Sequence, residues 1–197
     1  ADLVLDWEEL MNLCQFDSKS RNLQEVRDIF SFMCFSGLKL SRVYQLKESN
    51  IFVDHARMPG KNGNSDYNLP LNERALEILK TYQDWNYPGG TCFPFYYNPY
   101  FNRLLKQLGK EAGIIRFVKL EIHSGAELGI RQVPKYEILS SKVAVNTFLY
   151  NGLRLGISAE VLAYVTDQKT LAGIERIRPL LEHSAFDDIR KFNGLPA

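Results

Sequence analysis

The sequence predicts a mainly α-helical α+β domain that carries small β-hairpins. Three observations lead there. Apolar residues recur at helical spacing along most of the chain. Two stretches instead alternate apolar and polar residues around clusters of turn formers. The 197 residues, 45% hydrophobic and 24% charged, suit one domain, 1–197, that buries a sizeable core without disulfide or metal staples.

Taken in order, Asp6 followed by Trp7-Glu8-Glu9 reads as an N-cap with a capping-box acid, opening a helix to Leu13 or Cys14. From Leu23 to Ser36, Val26, Ile29, Phe30, Met33 and Phe35 fall at helical spacing and Phe32 widens the stripe, so this helix is buried and ends at Gly37. A short helix spans Ser41 to Leu46. Ile51-Phe52-Val53 is a strand candidate, residues 59–64 are dense in turn formers, and Tyr67 and Leu69 alternate as a return strand would. Asn72 caps a helix through Leu76, Ile78, Leu79 and Tyr82. Residues 86–99 form an aromatic-rich loop, and Tyr100 to Ala112 is a helix with Phe101, Leu104, Leu105 and Leu108 on one face. Phe117 to His123 and Ile130 to Tyr136 pair as a second hairpin around Gly125 and Gly129. Helices are then expected at Ser141–Leu155, Ser158–Val165, Leu171–Leu181 and Ser184–Phe192.

Composition narrows function. No apolar run approaches the roughly 18 residues of a membrane span, and no signal peptide opens the chain, so no membrane role is expected and the location is read as the bacterial cytoplasm. Cys14, Cys34 and Cys92 lack metal-type spacing and read as reduced thiols; His55, His123 and His183 are scattered, and neither a metal nor a small-molecule cofactor is expected. Gly60-Lys61 is no phosphate-binding loop, because His55 stands where its first glycine belongs and Asn62 where its Ser or Thr belongs. With 24 Lys+Arg against 23 Asp+Glu, the net charge of +1 lacks the basic excess usual in duplex-binding domains, so DNA binding must rest on a local patch.

Three strings carry a resemblance. Residues 28–42 (Asp28 through Ser36-Gly37-Leu38-Lys39-Leu40-Ser41-Arg42) place an apolar helix before Ser-Gly-Leu; residues 69–79 read Leu69-Pro70-Leu71 through Ala75-Leu76-Glu77-Ile78-Leu79; residues 133–156 run from Val133-Pro134-Lys135-Tyr136-Glu137 to Leu155-Gly156. In this order they resemble the catalytic domain of the tyrosine recombinase (phage integrase) family, the last string pointing to its Bacteroidetes-type branch. The resemblance implies that family's DNA breaking-rejoining fold. It also implies a further helical domain on the N-terminal side, so the chain is expected to be part of a longer protein.

The family's catalytic identities are replaced. The arginine after Ser/Thr-Gly-Leu corresponds to Lys39, and the nearby acid to Arg42. The His-x-x-Arg pair falls on Lys142 and Val145, the later His or Trp on Gln168, and the nucleophilic tyrosine near Ile177. The hairpin lysine corresponds to Lys61 or Arg57. The family's reaction stores a cut DNA strand as a phosphotyrosine and needs a nucleophile in line with phosphorus. Ile177 has no side-chain oxygen. Lys39 keeps charge without the planar fork, and Val145 keeps neither. One arginine at a phosphoryl-transfer centre can be worth roughly 10³–10⁵ in rate. These losses together predict a recombinase fold without strand cleavage. A displaced nucleophile at Tyr150 or Tyr164 is the least favoured reading, because aromatics at helical spacing usually belong to the core.

Lys39, Arg42, Arg57, Lys61 and Lys142 are the DNA-binding candidates; the ordinary alternative is that they are solvated surface cations. If Lys39, Arg42 and Lys142 cluster unpaired, their mutual repulsion calls for a bound phosphate or a carboxylate such as Glu48 or Asp167. The apolar residues between Leu180 and Phe192 either fold back or reach a neighbouring subunit, as family tails do. Double-stranded DNA and a recombinase partner, in recombination of a mobile element, are the leading expectation. A protein-interaction module that has left DNA is the rival, favoured by the near-neutral charge.

Overall fold

The computed structural model describes residues 3–60, 65–124, 127–166 and 172–181. Helix α1 (Trp7–Gln15) opens on the expected capping box: Asp6 Oδ1 accepts from the Glu9 backbone N–H at 2.9 Å, and Glu9 Oε2 accepts from the Asp6 N–H at 3.0 Å. Helix α2 (Arg21–Ser36) is the centre of the molecule. Val26, Ile29, Phe30, Phe32 and Met33 are fully buried around its circumference. A helix apolar on all sides must be covered on all sides. Helix α1, α4 (Glu73–Tyr82), α5 (Asn98–Glu111) and α6 (Lys142–Arg154) provide that cover.

Gly37 ends α2 at φ 74°, its N–H returning to the Met33 carbonyl at 3.0 Å. A Cβ there would stand 2.9 Å from the Phe148 ring. Only glycine both turns left-handed and lets α6 pack so closely. Helix α3 (Leu40–Val43) follows and is shorter than expected.

The first hairpin pairs β1 (His55–Met58) with β2 (Tyr67–Pro70), His55 opposite Pro70. It corrects the expected strand at 51–53. Val53 is 92% exposed, and Ile51 makes only an isolated bridge to Ala56. The residues that alternate into the core are Ala56 and Met58, which a search for β-branched runs passes over. Asn72 caps α4 as expected, its Oδ1 accepting from Ala75 N–H at 3.0 Å. Helix α5 starts earlier than the apolar pattern suggests, because Pro99 fits the first turn, where no N–H donor is needed.

The second hairpin pairs β3 (Phe117–Ser124) with β4 (Glu127–Pro134). Phe117 and Ile130 remain 64% and 66% exposed, so the arm projects from the core. The expected strand to Tyr136 is cut short by a 3₁₀ turn at Lys135–Ile138. Lys135 is turned inside, 2% exposed, with its ammonium on the Glu9 carboxylate. Burial, offset by Glu9, holds that ammonium's pKa below the usual lysine value.

Helix α6 joins two cores. Val143 and Ala144 belong to the main one around α2. Val145, Leu149 and Tyr150 face a smaller one with Leu162 and Ala163 of α7 (Ala159–Val165), Ile174 of α8 (Ala172–Glu175) and Ile177. Helix α8 is a single turn, shorter than the predicted helix 171–181; the helix predicted at 184–192 lies outside the described residues. The cysteines are free, and burial pushes the Cys34 and Cys92 thiols up, Cys92 to about 12. No helix among the described residues is long and apolar enough to cross a membrane.

Candidate functional site

Three elements meet at a pocket of about 630 Å³. The start of α3 supplies Lys39, Ser41 and, just beyond its end, Tyr44; the segment before α5 supplies Phe95, Tyr96, Tyr97 and Asn98; the first turn of α6 supplies Ser141, Lys142, Val145 and Asn146. Arg176, just past α8, closes the wall. The start of α6 is tied to α5: Ser141 N–H donates to Asn102 Oδ1 at 2.8 Å and Ser141 Oγ to Asn98 Oδ1 at 3.2 Å. The positive end of the α6 dipole therefore lies at the pocket.

Of the predicted site residues, Lys39, Lys142 and Val145 come together here. Lys39 and Lys142 are exposed, and among the described residues neither is ion-paired. Val145 is 6% exposed and packs into the smaller core. Ile177 is fully buried in that core; its neighbour Arg176 is the residue that lines the pocket. Gln168, Lys61 and Asp167 lie outside the described residues.

Arg42 departs from the expected surface patch. It is 6% exposed, with Nη1 donating to Gln45 Oε1 and Nη2 to the Pro59 carbonyl, each at 2.5 Å, and its guanidinium 5.9 Å from the Tyr67 ring centre. A helix-turn arginine one position past the exposed Ser41 points inward, so it ties α3 to the first hairpin. Arg57 lines a separate depression with Tyr164 and is paired with Asp66 at 3.3 Å. Glu48 lines another, beside Phe52 and Cys92. Tyr150 is 6% exposed in the smaller core, and the Tyr164 hydroxyl donates to the Asn68 carbonyl at 3.1 Å.

The residues missed by the sequence reading are Arg176 and the aromatic wall. The segment around residues 95–97 reads only as aromatic-rich loop, and nothing local shows that it folds against Tyr44. The Tyr44 hydroxyl accepts from Tyr96 N–H and donates to the Tyr96 carbonyl, both at 3.1 Å, and burial raises its pKa to about 12. Both hydrogen-bonding roles of that hydroxyl are occupied, so Tyr44 is not poised as a nucleophile. No Asp or Glu is among the described residues lining the pocket. Three cations, a helix start and neutral amides and hydroxyls make a surface suited to phosphate-like anions.

No protein-family model matches the chain, and no curated protein matches it in sequence. Solved structures do match. The XerA recombinase superposes with a TM-score of 0.68 at 16% identity, over 99% of this chain and 66% of that one. The XerH site-specific recombinase bound to palindromic difH substrate gives 0.69 at 13% identity, over 98% and 54%. A lambda integrase dimer bound to a COC′ core site gives 0.61 at 14% identity, over 89% and 58%. The chain thus spans between about half and two thirds of the length of these proteins. Its mainly helical architecture with two small antiparallel hairpins is the fold of the tyrosine recombinase catalytic domain.

Proposed function

We propose that this protein binds double-stranded DNA through the Lys39–Lys142–Arg176 pocket and does not cut it, acting as an accessory factor in the recombination of a mobile element. The carrying observation is the pocket itself, cationic and without a carboxylate among its described lining residues, on the fold of DNA-acting enzymes. XerH and lambda integrase are described bound to their DNA sites, which supports DNA as the partner. The lack of cleavage rests on Val145 in the arginine position and on Ile177 buried in the smaller core. The string Pro134-Lys135-Tyr136-Glu137 keeps the Bacteroidetes-type branch as the working assignment.

The test is a titration of a labelled duplex of about 30 base pairs at low and near-physiological salt, with covalent trapping on a nicked duplex alongside. Binding that falls steeply with salt, without a covalent adduct, is the expected result. An adduct overturns the claim of inactivity. Absence of binding at low salt overturns the DNA reading. The net charge of +1 then favours a protein-interaction module, with the tail of the chain the first surface to test against a recombinase partner or a second copy.

A further inference from the structure

Resting on that DNA reading, we infer that the pocket accepts an unstacked nucleotide of DNA, its base laid on the Phe95–Tyr97 wall and its phosphate on Lys39 and Lys142. The first ground is exposure. Phe95 is 75% and Tyr97 70% exposed, at a pocket that also presents cations. Large aromatic faces left in water beside positive charge are the recurring surface for unpaired nucleotides, since every base has a face to stack and a phosphate to neutralise. The second ground is rigidity. Phe95 packs on the Tyr44 ring with centroids 4.8 Å apart. Tyr96, between the two exposed rings, is pinned from both sides by the Tyr44 hydroxyl and by its own hydroxyl on Glu25. A wall held in place before binding loses little conformational entropy when a base arrives.

The third ground is size. About 630 Å³ lies in the range that holds one drug-sized group, enough for a nucleotide, whereas an intact duplex can present only its backbone phosphates to the cations at the rim. In an intact duplex the base faces are already stacked on one another and cannot reach Phe95 or Tyr97. A bulge, gap or strand end can offer its base at small cost. The preferred DNA is therefore duplex interrupted by unpaired nucleotides.

The test compares an intact duplex with the same duplex carrying a short thymine bulge that contains one 2-aminopurine. The bulged duplex should bind more tightly by about five-fold or more, with quenching of the 2-aminopurine on stacking. Phe95→Ala and Tyr97→Ala should abolish both the preference and the quenching. Phe95→Trp and Tyr97→Phe should keep both. Both side chains are exposed, so these variants fold. Equal binding of the two DNAs, with Lys39→Ala and Lys142→Ala weakening both, overturns this inference and leaves the duplex-binding reading standing. Binding of neither DNA overturns both. A bulge of ribonucleotides bound far more tightly than the deoxy form overturns the assignment to DNA.

Discussion

The Tyr96 hydroxyl donates a 2.5 Å hydrogen bond to Oε2 of Glu25, a carboxylate that is only 7% exposed on the central helix. Arg21 holds the other oxygen of Glu25 at 2.8 Å. One turn along, the Tyr82 hydroxyl donates to Asp28 Oδ2 at 2.8 Å. Buried Glu25 and partly buried Asp28, both on α2, thus fasten the aromatic wall of the pocket and α4 to the core. Carboxyl groups this poorly solvated need hydrogen bonds in place of water.

Tyr96→Phe removes that donor and leaves Glu25 with Arg21 alone. A hydrogen bond to a charged group contributes about 1.5–3 kcal/mol, so thermal unfolding should report a loss in that range. Nearly unchanged stability would mean that water takes the place of the hydroxyl and the wall is not fastened through Glu25.

Alkaline pH should destabilise the protein. Burial raises the pKa of Tyr44 to about 12; burial first, then the bond to Asp28 or Glu25, raises Tyr82 and Tyr96 further. Cys92 is raised in the same direction by burial. In the unfolded chain tyrosine titrates near 10, so above that pH the unfolded state has released protons that the folded state keeps. The contribution is complete below about pH 10 and is lost as pH rises through the folded values. Melting temperature should fall beyond about pH 10, with tyrosinate absorbance appearing on unfolding. A level melting temperature to about pH 11 would contradict this.

The basic residues should separate into two classes. Arg42→Lys keeps the charge and loses the two-point geometry that joins Gln45 to the Pro59 carbonyl, at a cost of about 1–3 kcal/mol. Lys39→Ala and Lys142→Ala should change stability by no more than about 0.5 kcal/mol, because both are exposed. Each should instead lower the salt dependence of duplex binding by about one counterion. Duplex affinity unaffected by either lysine change would remove the pocket as the contact.

Glu9 and Lys135 should respond unequally. Lys135→Met leaves Glu9 with Arg116 at 3.2 Å and its capping contact to Asp6 N–H, so its cost is small. Glu9→Ala leaves a 2%-exposed ammonium without its carboxylate and opens the capping box, and should cost about 3–5 kcal/mol. Equal costs in chemical denaturation would refute the asymmetry.

Sequence periodicity located the long helices because each has an apolar stripe that must be covered, and it located Asn72 and Gly37 because caps are chemical. The strand at His55–Met58 was missed because its inward residues, Ala56 and Met58, are not strand formers. Arg42 reads as a surface cation because charge predicts exposure unless a partner elsewhere takes it inside, and Pro59 is distant in sequence; nothing local to Lys135 shows that Glu9 draws it inside. Lys39 and Lys142 were legible through the resemblance. Arg176 was not, because which residue after α8 faces the pocket depends on how that short helix ends.

That ending sets the last prediction. The resemblance puts the nucleophile near Ile177, yet Ile177 is fully buried in the cluster with Val145, Leu149 and Ile174, while Arg176 lines the pocket. Restoring a tyrosine by alignment alone, Ile177→Tyr, forces a larger ring with a hydroxyl into a filled core and should cost about 1–3 kcal/mol. Arg176→Tyr replaces an exposed side chain and should cost no more than about 1 kcal/mol. Thermal unfolding of the two variants decides between the positions. A clear loss for Ile177→Tyr alone means that position 177 serves packing and has no room for a tyrosine. Equal melting temperatures would mean that position 177 is not closed by packing and tolerates a tyrosine, and the case for inactivity would then rest on the missing side-chain oxygen of Ile177 and on Val145.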